Sequence, residues 1–212
     1  MQIMTRSFAG KFHWPTTNVV NLLDKQLSIF FRSWGSVDYN QKLIDEISHY
    51  LATAQADIEV TSPFEYKENL SSLANKTRVS LLLAHDYFCK VVNKSEFAVG
   101  FEACVFLRNK QELAWASSGR FSLKKIHSDY LQTIFEVGSD LDSQILLPAD
   151  LIGAESDFEI HAGSVDFNDE SQYFIASVFH GELTRQLSLD GQLHFLPTHS
   201  ETAYWYSVIK GD

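Results

Sequence analysis

Leu113-Ala114-Trp115-Ala116-Ser117-Ser118-Gly119-Arg120-Phe121-Ser122-Leu123 is the stretch on which the fold turns. Residues 112–117 read as one β-strand and residues 120–126 as the next, with Gly119 as the break between them. Just upstream, Phe97, Val99, Phe101, Ala103, Val105 and Leu107 alternate as one face of a strand. The opposite face, with Ala98, Gly100, Cys104 and Phe106, is also largely apolar, so this strand belongs inside a sandwich or beneath helices. Asn109-Lys110 supplies a turn between these strands, and residues 130–137 extend an antiparallel meander. Glu102 is the odd residue in this region, because a buried carboxylate needs a partner. Arg120 across the turn is one candidate, and an open, watered face is the simpler alternative.

Toward the N-terminus, Leu27-Ser28-Ile29-Phe30-Phe31-Arg32-Ser33-Trp34 is rich in strand formers and stops at Gly35. The residues before it, with Phe8, Phe12, His13 and Trp14, lack a clear period and suit an edge strand. After Gly35, Asp38 is placed to cap a helix, with Gln41 in the reciprocal position and Ile44, Ile47, Leu51 and Ala54 as its buried stripe. Ser62-Pro63-Phe64-Glu65 announces a second helix, whose stripe runs through Leu70, Leu73, Thr77, Leu81, Ala84, Phe88 and Val91. Toward the C-terminus the sequence predicts a strand over 173–179, a short helix over 182–187 and a last strand around Tyr204-Trp205-Tyr206.

The chain of 212 residues suits one domain, 1–212, with a substantial core. A formal charge of -10, with no cluster of Lys and Arg, argues against nucleic acid as a partner. No apolar run approaches the ~20 residues of a membrane span, and Arg6 and Lys11 precede no segment of signal-peptide length. These features point to a cytoplasmic protein without a membrane partner. Cys89 and Cys104 have neither CxxC spacing nor a neighbouring His ligand pattern, and read as buried reduced thiols.

The 113–123 stretch, following Gly100-Phe101-Glu102-Ala103-Cys104-Val105, resembles the central hairpin of the protein phosphatase 2C class of metal-dependent serine/threonine phosphatases. There the preceding strand reads Gly-Thr-Thr-Ala. The order of elements is similar over nearly the whole length: a strand ending in Gly35, two helices, the hairpin, Ile175-Ala176-Ser177, a helix, and a strand from Ala203 to Lys210. The resemblance implies an α+β fold, a four-layer α-β-β-α sandwich of two antiparallel sheets with helices on the outer faces.

It also implies two Mg or Mn ions held by aspartates at strand ends, with metal-bound water attacking the phosphoryl group. Hard cations side by side need several anionic oxygen ligands. In this chain the first aspartate falls at Trp34, beside the retained Gly35. The hairpin aspartate falls on or near Ser118, next to Gly119 and Arg120. The late-strand aspartate falls at Val178, and the last position leaves Glu201. The family's phosphate-gripping Arg corresponds to Arg6. A displaced alignment brings in Asp38, four positions beyond Trp34, or Glu182, four beyond Val178. Each is more simply a helix-terminus residue.

Other chemistry has weaker signals. Asp166, Asp169 and Glu170 lack the spacing of a calcium loop and read as a solvated turn. His194 and His199 flank Pro197 without a third matched ligand, and His85, His161 and His180 stand isolated. No Gly-x-Ser-x-Gly elbow occurs, and Thr5 or Ser7 would need exposure by cleavage to act as an N-terminal nucleophile. The favoured reading is a catalytically inactive phosphatase 2C-like domain that acts as a regulatory or protein-binding module, with no cofactor. Trp14 and Trp205 are candidates for its partner surface. One alternative is a divergent metal-dependent phosphoprotein phosphatase with a displaced Mn or Mg site using Asp38, Glu201 or Glu182. The other is an unrelated α+β binding domain.

Overall fold

A computed structural model describes residues 1–8, 15–56, 63–128, 130–137, 150–154, 158–168, 170–178, 183–187, 193–197 and 204–211. The chain divides into two compact units, one of Met1–Trp14, Arg120–Gln144 and Asp169–Asp212, the other of Pro15–Gly119 and Ile145–Asn168. Each holds a five-stranded antiparallel sheet, in keeping with the two antiparallel sheets that the resemblance implies.

In the second unit the sheet order is β2 (Asn18–Leu22), β3 (Leu27–Gly35), β4 (Val99–Arg108), β5 (Glu112–Ser118), β8 (His161–Asp166). Helices α1 (Asn40–Ala56) and α2 (Ser72–Tyr87) cover one face of it. The two-residue period of β3 and β4 sends Leu27, Ile29 and Phe31, with Val99, Phe101, Ala103, Val105 and Leu107, to the helix-bearing face. There they meet Leu43, Ile47, Leu51 and Ala54, spaced along one side of α1, and Leu81 and Ala84 of α2. The Lys76 ammonium donates to the Ala54 carbonyl at 2.7 Å, satisfying an acceptor in the last turn of α1.

Both helices start later than the sequence suggests. Asp38 does not cap α1 but sits in a short 3-10 turn, Val37–Tyr39, capped by Ser36, whose hydroxyl accepts from the Asp38 N–H at 3.3 Å. Gln41 donates to the Asp45 carboxylate at 2.9 Å instead of reaching back to a cap. Ser62 lies outside the described residues, and the α2 N-cap is Ser71, which accepts from the Ala74 N–H at 3.0 Å. The physical reason lies in Asn75. Its side chain accepts from the Lys67 N–H at 2.8 Å and donates to the Lys67, Leu70 and Ser71 carbonyls, holding residues 67–71 as a loop folded onto the first helical turn. Beyond α2 the helix widens into a π-turn, Phe88–Val92.

That turn faces the segment around Gly153. Ile152 exchanges both backbone hydrogen bonds with Phe101. Asn93 donates to the Val99 and Gly153 carbonyls, both at 2.7 Å. His85 accepts from the Gly153 N–H through Nδ1 at 3.2 Å and lies 3.4 Å from the Cys89 sulfur through Nε2. Burial holds the imidazole below its ordinary pKa, in keeping with the neutral ring this acceptance requires. His85 and Cys89 are thus not isolated: a spacing of four places them on one helical face. Cys104 is fully buried, and burial pushes its thiol up.

The first unit has sheet order β1 (Gln2–Phe8), β12 (Tyr204–Lys210), β9 (Gln172–Val178), β6 (Ser122–Ile126), β7 (Leu131–Glu136). β1 is an edge strand, as expected. The predicted helix over 182–187 is instead β10 (Leu183–Leu187), paired with β11 (Leu193–Pro197) as a ribbon. Phe195 stacks on Phe174 at 3.9 Å and packs on Tyr206, which anchors the ribbon to the sheet. This tertiary contact decides a segment whose local pattern fits either state. Trp205 is 3% exposed and packs edge-on against Phe121, so it is core and not partner surface. Trp14 lies outside the described residues.

The 113–123 stretch holds two strands, but they do not pair with each other. β5 pairs with β4 and β8, β6 pairs with β7 and β9, and the chain passes from one sheet to the other at Gly119. Alternation reveals a strand without naming its partner. Among the described residues, no helix is long and apolar enough to cross a membrane.

Asn75→Ala strips the Lys67 N–H of its acceptor and the 67–71 loop of its tie. Urea denaturation is expected to show a loss of about 2–3 kcal/mol.

Candidate functional site

The end of β3 concentrates the unusual chemistry of the second unit. Residues two apart on a strand share a face, so Arg32 and Trp34 point together, away from the helix-facing Phe31. Antiparallel registration sets Arg32 opposite Glu102 and Trp34 opposite Gly100. Arg32 and Glu102 are each 0% exposed, and Arg32 Nε lies 3.0 Å from Glu102 Oε2. This is a charge contact in which the Nε–H is not aligned on the carboxylate as a hydrogen bond. The Trp34 indole N–H donates to the same carboxylate oxygen at 3.0 Å.

Two glycines make room for this cluster. Gly119, at φ +87°, lies against Glu102, and a Cβ there would meet the Glu102 Cγ at 2.5 Å. Gly35, at φ +122°, closes β3 against the Ala98 carbonyl, where any side chain would collide with backbone. The glutamate is buried and does not face water, the simpler alternative considered from sequence. Arg32 is the member of this cluster that sequence reading missed. Its signal was present: one cation in an apolar strand and one acid in the neighbouring apolar strand.

The other expected positions fall elsewhere. Ser118 is buried and pairs with Ala103, and its hydroxyl donates to the Asp150 carbonyl at 2.7 Å. Asp38 is exposed and accepts from the Ser36 hydroxyl at 3.1 Å. In the first unit, Val178 ends β9 opposite Tyr204, and Arg6 is exposed on β1 opposite Tyr206. Burial and Tyr206 raise the Tyr204 phenol pKa, and the Arg6 charge works against that rise. Glu182, Glu201, His180 and His199 lie outside the described residues. Among the described residues, no three His, Cys, Asp or Glu side chains gather as a metal-binding group.

No protein-family model matches the sequence, and no curated protein does. Solved structures do match over essentially the whole chain. The PPM Ser-Thr phosphatase MsPP from Mycobacterium smegmatis, in complex with cacodylate, aligns with TM-score 0.60 at 11% identity, covering 100% of this chain and 99% of that one. The catalytic domain of the serine/threonine protein phosphatase PstP, in complex with two manganese ions, aligns with TM-score 0.58 at 11% identity, covering 100% and 98%. PppA, described as a key regulatory component of T6SS in Pseudomonas aeruginosa, aligns with TM-score 0.58 at 8% identity, covering 99% and 97%.

Removing one member of a buried ion pair leaves the other charge without compensation, whereas replacing both by apolar groups does not. Glu102→Gln is expected to cost about 3–5 kcal/mol in urea denaturation, and the double change Arg32→Met with Glu102→Leu to recover most of that loss.

Proposed function

With the α+β fold of the phosphatase 2C class as the premise, we propose that this chain is a non-catalytic member of that fold, acting by binding another protein. The observation that carries the reading is Trp34. An indole N–H stands where the fold's first metal-binding aspartate is expected, and it donates to the Glu102 carboxylate. An indole nitrogen that carries a proton has no lone pair to offer a hard cation.

The donor chemistry supports this reading further. Two adjacent divalent ions need several carboxylates to offset their charge. Among the described residues no group of three such ligands gathers, and the carboxylate at this cluster, Glu102, is already engaged by Arg32 and Trp34. A divalent ion beside Arg32 would also meet a fixed positive charge in a water-poor setting, where repulsion is strong. The residues therefore do not fit a two-metal group, and no catalytic step is assigned to them. Asp38, the acid through which a displaced site would be built, is held at the helix entry by Ser36. A regulatory role is consistent with the description of PppA, whose fold this chain shares. A net charge of -10 favours a partner with a basic surface.

The test is turnover of p-nitrophenyl phosphate by the purified chain with millimolar Mn or Mg. No metal-dependent rate above the buffer control is expected. Turnover that requires metal and disappears in Asp38→Ala would establish the displaced-site enzyme instead.

A further inference from the structure

The C-terminal end of α2 carries a thiol that the function proposed above does not use. The chain's two cysteines form no disulfide and sit in opposite settings. Cys104 is fully buried within β4. Cys89, in the π-turn that follows α2, is only half-buried, where the sequence alone suggests a buried thiol. A thiol reacts as its thiolate, and only where a reagent reaches it. Burial both shields Cys104 and disfavours its ionisation, which leaves Cys89 as the reactive candidate.

The hydrogen bonds around His85 fix where its proton sits. Its Nδ1 accepts from the Gly153 N–H at 3.2 Å, so that nitrogen carries no hydrogen. A neutral imidazole with a bare Nδ1 holds its one proton on Nε2, and Nε2 lies 3.4 Å from the Cys89 sulfur. The ring therefore donates to the sulfur and cannot act as its base. The Cys89 S–H in turn donates to the Ala154 carbonyl at 3.5 Å. Phe158 stacks on the imidazole at 3.9 Å and holds its plane. An N–H aimed at sulfur favours the thiolate over the thiol.

The same bonds tie residues 152–154 to the end of α2. Gly153, at φ +89°, lies so close to the π-turn that a Cβ there would meet the Phe88 Cβ at 2.7 Å. Asn93 holds the Gly153 carbonyl at 2.7 Å, and the Ile152 N–H donates to the Phe101 carbonyl at 2.8 Å. The Ala154 N–H donates to the Leu151 carbonyl at 3.1 Å. A group added to the Cys89 sulfur takes the place of the hydrogen that the Ala154 carbonyl accepts, so the segment loses one of its ties to the helix.

We propose that Cys89 is a modification site, a thiol that exchanges with a low-molecular-weight disulfide, with His85 as the positioning residue that supports its thiolate. The Cys89 thiol gives its proton to water while the His85 Nε2–H faces the charge on sulfur. The thiolate attacks one sulfur of the disulfide, the old S–S bond breaks as the new one forms, and the leaving thiolate takes a proton from water. Cys89 is oxidised to a mixed disulfide, and the other half of the reagent is reduced to a thiol. The site goes beyond the function proposed above, and its test says nothing about phosphoester turnover.

The experiment is incubation of the full chain with millimolar glutathione disulfide, followed by peptide mass spectrometry and by hydrogen–deuterium exchange of the product. The adduct is expected at Cys89, formed at least about tenfold faster than at Cys104 and absent in Cys89→Ser. Amides of residues 152–154 should exchange about tenfold faster in the adduct, and dithiothreitol should restore the slow exchange. His85→Asn places an acceptor near the position of Nδ1 but has no donor that reaches the sulfur, and should slow adduct formation about threefold or more. His85→Gln, whose amide N–H reaches further, should recover part of that rate. The proposal is overturned if Cys89 stays unmodified, if Cys104 reacts as fast, if the 152–154 amides are unchanged by the adduct, or if His85→Asn reacts as fast as the parent chain.

Discussion

A carboxylate and a guanidinium taken wholly out of water must answer each other's charge, and the end of β3 is arranged around that demand. Arg32 and Glu102 meet in register across adjacent strands, Trp34 donates to the same oxygen, and Gly119 leaves no volume between backbone and acid. None of these residues can change alone without cost. A larger residue at 119 would collide with Glu102, and a neutral residue at 102 would take away the carboxylate charge that the buried Arg32 faces. In metal-dependent phosphatases of this fold, negative charge at strand ends is balanced by cations from solution. Here Glu102 faces a cation that is covalently part of the chain.

On the proposed reading, that arrangement would let a fold associated with metal chemistry persist without metal ions at its first strand end. Buried acids at such a position repel one another unless something positive is bound. Exchanging one for an indole and supplying a guanidinium two residues earlier removes the repulsion.

Much of the architecture was legible in the sequence, because strand alternation in 97–107 and helical stripes such as Ile44, Ile47, Leu51 and Ala54 are direct imprints of burial. Connectivity was harder. β5 and β6 read as successive strands of one meander, and as a hairpin by resemblance, yet their partners lie in different sheets. The 182–187 segment read as helix because its extended state is stabilised by Phe195 on Phe174, a contact that no local pattern encodes. Helix starts were misplaced for a similar reason: Asn75 reorganises the residues before α2 through side-chain bonds to backbone. At the candidate site, the unsuitable residue Trp34 was visible from its type alone. The Arg32–Glu102 pair was not, because it depends on a registration between strands that lie 70 residues apart.

The central claim is that the chain's own guanidinium has taken the place of bound metal. It is tested most directly by scanning calorimetry of the purified chain with EDTA and with millimolar Mn, since a ligand that binds only the folded state raises the melting temperature by linkage. The account predicts the same melting temperature in both. A saturable rise of several degrees with Mn would contradict it.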